Sequence, residues 1–271
     1  MQIIGERING TRKQVAKVVA ERDVNFIQTL ARRQVEAGAH LLDVNAGTQP
    51  DREPDDLAWL VKTVQAVASV PLSLDSANPV ALAAAIKEVQ QPPLINSISG
   101  EPERLNGILP LVRDHSGSVI ALAMDEKGIP PGVADRVAVI HRVIDATRRA
   151  GVPDEKVYVD PLVMSIATNT ACGQIALDTM RAVRAEFPAV HITSGLSNVS
   201  FGLPVRGLIN RTFLTLALAA GLDSAIMDPL DRELRAALLA TEMLLGRDRH
   251  CLNYTRAYRA GWLEPLKPNG A

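Results

Sequence analysis

Five polar side chains stand at corresponding places along the chain, each closing a short apolar run. Asp43, Asp75, Asn96, Asp160 and Asn198 occur in LLDVN, LSLDS, LINS, VYVDP and GLSNVS, and a segment with helical spacing follows each run. Carboxylates and amides present hydrogen-bond acceptors and donors in a fixed plane. This chemistry suits a flat heterocycle with N–H, C=O and amino groups better than a phosphate. The repeated position therefore predicts one shared pocket.

The elements that must position these groups are strands alternating with helices. Apolar, β-rich runs predict eight strands, at residues 2–5, 40–44, 71–75, 93–97, 118–124, 156–160, 190–195 and 223–227. Apolar residues at spacings of three and four predict helices between them, including 25–37, 134–150 and 210–220. A glycine follows each of these three helices, as is common at helix ends. Eight repeats favour a (β/α)8 TIM barrel of the α/β class.

A single domain is expected to cover the whole chain. The 271 residues exceed a typical domain, but barrels of this class often reach about 250 residues. We assign residues 1–245 to the barrel and 246–271 to a C-terminal helix and a Pro/Gly tail of the same domain. No linker or low-complexity tract divides the sequence.

The barrel assignment gathers the polar strand ends at one face. Active sites of TIM barrels lie at the carboxyl ends of the strands. Glu6 follows the first predicted strand, and Ser197 joins Asn198 after the seventh. His40 and His191 fall at the opposite ends of their strands, so we leave both out of the site.

Composition narrows the classes of function. A formal charge of -1 argues against a nucleic-acid binder, which needs a basic surface. The N-terminus lacks signal-peptide features and no apolar stretch approaches about 18 residues, so we expect a cytoplasmic protein without a membrane span. Cys172 and Cys251 are too far apart for a CxxC motif. The five histidines show no metal-ligand spacing, and we expect no bound metal.

Each candidate also has an ordinary structural interpretation. Asp75 could be a helix N-cap, Glu6 could form an ion pair at the barrel rim, and Asp43 could orient a loop. Asn96 and Asn198 are harder to explain in this way, because asparagine is disfavoured in strands and a buried amide needs specific partners. Their convergence favours a ligand site.

A carboxylate facing an amidine-like edge makes two parallel hydrogen bonds, and a 2-amino-4-oxo-pteridine fits such an arrangement. Glycine-rich phosphate loops are absent, which weighs against nucleotides.

The motifs in order resemble those of a known family. They are GERING at 5–10, LDVNAG at 42–47, LDSANP at 74–79, INS at 95–97, DPL at 160–162, GLSNVSFGLP at 195–204 and LINRTF at 208–213. The chain resembles the methyltetrahydrofolate:corrinoid protein methyltransferases, which are related to the folate domain of cobalamin-dependent methionine synthase. The resemblance runs to about residue 245, and it implies a TIM barrel, a homodimer and methyl transfer between N5 of tetrahydrofolate and the cobalt of a corrinoid.

The same resemblance implies roles for particular residues. Asp75, Asn96 and Asp160 would hold the pterin, and Asn198 would lie next to N5. Since N5 must carry positive charge for its methyl group to leave, a donor that strengthens there would accelerate transfer. Asn198 can donate but cannot release a proton at neutral pH, so we expect the proton to come from water or from an acid such as Asp75. The remaining candidates for substrate contacts are Gly195, Ser197, Phe201, Arg206, Glu6 and Asp43.

Several points stay open at the level of sequence. Phe201 could pack against folate or corrinoid, or could belong to the core. Arg206 could meet folate carboxylates or the partner, or could be a solvated surface residue. The chain lacks a DxHxxG corrinoid-binding motif, so the corrinoid must come on a separate protein. A dihydropteroate synthase, which would need a cationic cluster for pyrophosphate, and a non-catalytic folate-binding protein are the alternative functions.

Overall fold

The computed structural model describes residues 1–263 and contains the eight predicted strands. They are Gln2–Asn9 (β1), Leu41–Asn45 (β2), Leu72–Asp75 (β3), Leu94–Ile98 (β4), Ser118–Leu122 (β5), Val157–Asp160 (β6), His191–Ile192 (β7) and Ser224–Met227 (β8). All of the pairings between them are parallel, in the order β7-β6-β5-β4-β3-β2-β1-β8.

The two ends of this sheet meet and close it into a barrel. The amide of Asp223 donates to the carbonyl of Ile192 at 3.2 Å, and that of Ile226 donates to Ser194 at 3.0 Å. Gly195 also forms a parallel bridge with Ile226. The predicted TIM barrel is therefore confirmed. The seventh strand is shorter than predicted, because its backbone becomes irregular at Thr193 while still bonding to both neighbours.

Helices cover the outside of the barrel. They are Lys13–Glu21 (α1), Val24–Glu36 (α2), Glu53–Gln65 (α3), Pro79–Ala85 (α4), Pro102–Asp114 (α5), Val133–Arg149 (α6), Cys172–Glu186 (α7), Arg206–Ala219 (α8), Arg232–Leu244 (α9) and Leu252–Arg259 (α10). Helix α8 begins four residues earlier than predicted, where Gly207 weakens the helical pattern of the sequence. The predicted C-terminal helix corresponds to α10, and the predicted tail beyond residue 263 lies outside the described residues.

Alternation along the strands builds two separate apolar layers. Side chains such as Leu42 and Val44 face the helices and belong to the large core between strands and helices. Ile4, Leu94, Ile120 and Tyr158 instead pack together inside the barrel, joined by Leu41, Leu122 and Ile226. Because successive residues point to opposite faces, Asp43 and Asn45 point inward with Leu41. The barrel interior thus has an apolar floor below a polar upper layer.

A polar cluster around Asp223 closes the amino-terminal end of the barrel. Its carboxylate accepts hydrogen bonds from Arg184 at 3.0 Å and from the amide of Ile192 at 2.9 Å, and it contacts Nδ1 of His191 at 3.2 Å. The His191 ring stacks on Tyr158 with centroids 4.5 Å apart. The prediction that His191 lies away from the strand ends of the site is confirmed.

We expect Asp223→Ala to lower the free energy of unfolding by about 1 to 2 kcal/mol at neutral pH, allowing for partial exposure. Burial alone would raise the pKa of Asp223, but its hydrogen bonds with His191 and Ile192 and the charge of Arg184 hold it below the usual value. Its stabilising contribution is therefore present above about pH 4 and is lost as pH falls. Urea unfolding at neutral and acidic pH measures both effects. Asp178→Ala, which removes an exposed ion pair with Arg181, is the control and should change little.

Candidate functional site

The polar upper layer begins with Asp43, which is 2% exposed. Its Oδ1 accepts hydrogen bonds from Ser73 Oγ at 2.7 Å and from Asn96 Nδ2 at 3.3 Å. These partners stand on β3 and β4, so one carboxylate links three adjacent strands. Because the amide nitrogen of Asn96 is directed at Asp43, its carbonyl oxygen is left for another partner.

Asp75 forms a second carboxylate–amide pair in the wall of the barrel mouth that β2, β3 and β4 form. Its Oδ2 accepts from Asn45 Nδ2 at 2.9 Å, and it lies beside Asn96 in the register of β3 and β4. The alternative that Asp75 caps a helix is wrong, since Asn78 caps α4 by accepting from the amide of Val80 at 3.0 Å. Asp75 is therefore free to serve the pocket.

Burial controls the electrostatics of this wall. It raises the pKa of Asp43 well above the usual range, and the negative charge of Asp75 raises it further. Burial also raises the pKa of Asp75, an effect that the hydrogen bond from Asn45 opposes and the charge of Glu53 reinforces. Ionising both carboxyls at once is consequently unfavourable.

Asp160 ends β6 on the other side of the barrel mouth and is 7% exposed. Its Oδ1 accepts from the amide of Leu162 at 2.8 Å, and the carboxylate also accepts from the amide of Gly195. Burial raises its pKa to about 6, although these hydrogen bonds and the charge of Arg136 act in the opposite direction. Asp160 thereby ties the end of β6 to the loop after β7.

Arg136 is a residue of the site that sequence reasoning missed. It lies on α6, is 2% exposed, and donates to the carbonyls of Pro130 at 2.9 Å, Pro161 at 2.7 Å and Leu162 at 2.8 Å. It therefore fixes the backbone beside Asp160. The signal in the sequence was a cation on the apolar face of α6, four residues before Ile140 and eight before Ile144.

Asn198 stands on a short 3-10 helix, Leu196–Ser200, directly after the barrel closure. Its side chain is exposed, and within residues 1–263 its side-chain amide makes no hydrogen bond, whereas its backbone N–H donates to the carbonyl of Gly195 at 3.2 Å. A Cβ on Gly195 would lie 3.0 Å from Asn198 Nδ2, so the glycine lets this amide lie close to the backbone. The amide is available as a donor at the barrel mouth.

Arg206 supports this short helix from the first turn of α8. It donates to the carbonyl of Ser197 at 2.7 Å and to Ser200 Oγ at 3.0 Å, and its guanidinium lies 5.8 Å from the centre of the Phe201 ring. Phe201 is 69% exposed, so the alternative of a core role is wrong. Val205 precedes Arg206 with a φ of 51°, a backbone conformation that is strained for a β-branched residue.

Glu6 lies at the rim on β1 and pairs with Arg12 at 3.0 Å. Burial raises its pKa, which the charge of Arg12 opposes. The adjacent Arg7 forms an ion pair with Asp228 after β8 at 2.9 Å. The ion-pair interpretation of Glu6 is thus realised in the structure, beside rather than within the wall of Asp43 and Asp75.

Residues 1–263 contain no group of three or more His, Cys, Asp and Glu side chains that could hold a metal ion. Over the same range, no helix is both long and apolar enough to cross a membrane.

Carboxylates and amides thus lie together over an apolar floor. The family profile of pterin binding enzymes matches residues 5–228. The chain belongs to the pterin binding enzyme family. A methylcorrinoid:tetrahydrofolate methyltransferase of Eubacterium limosum is 38% identical over 269 residues, which cover 98% of this chain and 99% of that protein. The methionine synthase of Mycobacterium leprae is 34% identical over 83% of this chain, a region that makes up 20% of that longer enzyme.

Solved structures of other proteins share the fold of this chain. Dihydropteroate synthase from Xanthomonas albilineans, in complex with 7,8-dihydropteroate, superposes with a TM-score of 0.70 and 19% identity. The match covers 90% of this chain and 93% of that one. At this identity the likeness supports the shared fold alone.

The raised pKa of Asp160 leads to a prediction about stability. Since the folded pKa of about 6 exceeds the unfolded value of 3.8, burial of Asp160 lowers stability as pH rises from about 4 to about 6, and the full cost is present above pH 6. Asp160→Asn keeps an acceptor for the amides of Leu162 and Gly195 and removes this cost. We expect the variant to be more stable than the wild type at pH about 8, by up to about 3 kcal/mol, and to lose most of this advantage near pH 4.

Urea unfolding of the ligand-free protein at both pH values measures the difference. Asp125→Asn is the matched control, since Asp125 follows β5 and is paired with Arg142. A stability gain that is equal for the two variants, or independent of pH, would contradict the assignment.

Proposed function

We propose that the protein transfers a methyl group between N5 of tetrahydrofolate and the cobalt of a corrinoid carried by a separate protein. The observation that carries the proposal is the set of half-buried Asp75, half-buried Asn96 and buried Asp160 at strand ends, with the exposed side-chain amide of Asn198, which makes no hydrogen bond within residues 1–263, at the same barrel mouth. The near full-length similarity to a methylcorrinoid:tetrahydrofolate methyltransferase supports it.

The pterin ring would bind by its polar edges. Asp160 would accept two parallel hydrogen bonds from the 2-amino group and N3–H, because a carboxylate matches an amidine-like edge. Asp75 and the carbonyl oxygen of Asn96 would accept from the opposite edge. Ile4, Leu94, Ile120 and Tyr158 form the apolar floor below this layer. Gly195 and Ser197 would border the ring, and Asp43 would act by orienting Asn96.

Asn198 would act on the reacting nitrogen. In the demethylating direction the bond between N5 and the methyl carbon breaks as the carbon bonds to Co(I), and the N5 electron pair takes up a proton that water delivers, directly or by way of Asp75. The amide of Asn198 supplies a preorganised donor that stabilises charge at N5 in the transition state. In the opposite direction N5 attacks the methyl group, the electron pair of the cobalt–carbon bond stays on the cobalt as Co(I), and N5 gives up its proton to water. The same contact with Asn198 orients N5.

Access for a second protein is compatible with the shape of the mouth. Phe201, Val205 and Met164 are exposed beside the site, in loops after β6 and β7. Apolar side chains at a rim are suited to a transient partner, and a corrinoid protein is the partner that the chemistry requires. Phe201 and Arg206 would contact folate or the corrinoid there, and Glu6 would border the opening from β1.

We also propose that the protein is a cytoplasmic homodimer. Exposed Leu208 and Leu216 lie two turns apart on the outer face of α8, and Leu244 is exposed at the end of α9. Such a surface suits a second copy. Light scattering coupled to size-exclusion chromatography distinguishes a dimer from a monomer.

An assay with methyltetrahydrofolate and free cob(I)alamin tests the function. We expect formation of methylcobalamin and tetrahydrofolate, followed by the change in the corrinoid absorption spectrum. Folate binding without turnover would instead support a non-catalytic binding protein. Synthesis of pteroate from a pterin pyrophosphate and 4-aminobenzoate would support a dihydropteroate synthase.

Asn198→Ala tests the role of the free amide. We expect turnover to fall by about 10²-fold or more, the usual effect of removing one preorganised donor, with a smaller effect on tetrahydrofolate affinity. Asn198→Asp should behave similarly, because an ionised carboxylate cannot donate. Asn106→Ala, on the exposed surface of α5, is the control. Turnover of Asn198→Ala equal to that of this control would remove Asn198 from the mechanism.

A further inference from the structure

Asn45 is a polar residue at the end of β2 whose two side-chain atoms have very different surroundings. Its Nδ2 donates to Asp75 Oδ2 at 2.9 Å. Its Oδ1 is buried and, within residues 1–263, accepts no hydrogen bond. A buried carbonyl oxygen without a donor is unfavourable, so this atom indicates a proton that the heavy atoms alone do not reveal.

Asp43 can supply that proton. It lies two residues before Asn45 on the same strand, and side chains at this spacing point to the same face. Its Oδ1 already accepts from Ser73 and Asn96, so a proton on the carboxyl would reside on Oδ2. The negative charges of Asp75 and of Glu6 on β1 raise the pKa of Asp43, and the charge of Glu53 raises the pKa of Asp75. Holding one proton within this acidic group relieves the repulsion.

We propose that Asn45 is a positioning residue, which accepts a hydrogen bond from a protonated Asp43 and donates one to an ionised Asp75. The hydrogen-bonded chain Asp43–Asn45–Asp75 then gives the buried Oδ1 of Asn45 a donor. It fixes Asp75 with Oδ2 toward Asn45, and its remaining oxygen serves the ligand. The part that concerns the ligand rests on the proposed function, whereas the proton on Asp43 is a property of the free protein.

The acceptors of this wall indicate which ligand state it selects. The amide nitrogens of Asn45 and Asn96 donate to carboxylates. Asp75 and Asn96 therefore present oxygens to the pocket. Oxygens require N–H groups on the ligand. A reduced pterin carries N8–H, whereas a fully oxidised pterin has an acceptor nitrogen at that position. Asn45 therefore contributes to a preference for reduced pterins by keeping Asp75 ionised and oriented.

Equilibrium binding of tetrahydrofolate and of folic acid tests the positioning role. We expect Asn45→Ala to weaken tetrahydrofolate binding by about tenfold or more and to weaken folic acid binding less. In an Asp75→Asn background, Asn45→Ala should change the affinity for tetrahydrofolate by less than about threefold, because Asn45 affects binding by orienting Asp75. Asn78→Ala is the matched control, since it removes the N-cap of α4 and destabilises the fold without reaching the pocket.

Difference infrared spectroscopy of the free protein tests the proton. At pH about 8, where Asp160 is ionised, we expect a carbonyl stretch of a protonated carboxylic acid that disappears in Asp43→Asn. The same band should shift in Asn45→Ala, which removes the acceptor.

The outcomes separate the proposals. An unchanged affinity in Asn45→Ala, with a stability loss like that of Asn78→Ala, would overturn the positioning role. A spectrum without an Asp43-dependent band would overturn the proton assignment. If the wild type does not bind tetrahydrofolate, the proposed function fails, and the infrared result still decides the state of Asp43.

Discussion

Burial of carboxylates at the top of a closed barrel is the constraint on which the site depends. A carboxylate removed from water needs hydrogen-bond donors or a proton, because its charge is otherwise very costly. Asp43 accepts hydrogen bonds from Ser73 and Asn96, and Asp75 accepts one from Asn45. Asp160 accepts hydrogen bonds from two backbone amides. These donors come from neighbouring strands and from the loops after β6 and β7. The site is therefore complete only when the sheet is closed.

This arrangement keeps the negative charge of the pocket available to a ligand. The two arginines beside it do not neutralise its carboxylates directly. Arg136 donates to three backbone carbonyls, and Arg206 donates to a carbonyl and a hydroxyl. Each cation thus stiffens a loop, while the pKa of Asp160 stays raised at about 6. A ligand that brings two N–H groups therefore stabilises the ionised carboxylate of Asp160.

The fold and the gathering of the polar strand ends at one face could be predicted from the sequence because both follow from a repeated pattern. Apolar runs ending in Asp or Asn specify strand ends, and parallel strands in a barrel bring those ends together. The identity of each partner could not be predicted, since it depends on register. That Asn45 meets Asp75 and that Asn96 reaches Asp43 across β3 requires the stagger of three strands. Arg136 was missed for a related reason, because arginine on a helix is usually exposed.

The loop after β7 follows a different principle from the wall of β2 to β4. Its residues are positioned by backbone geometry: Asp160 holds the amide of Gly195, Arg206 holds the carbonyl of Ser197, and Val205 adopts a left-handed conformation. Strain at Val205 persists because the bonds of Arg206 on one side and the barrel closure on the other determine the path of the chain. In the wall the amide nitrogens are paired with carboxylates, whereas the loop presents a side-chain amide on Asn198 that has no hydrogen-bond partner within residues 1–263. The amide of Asn198 has to strengthen its hydrogen bond to the substrate as charge develops there. Its position must therefore be fixed through the backbone, because a side-chain partner would compete for the same N–H.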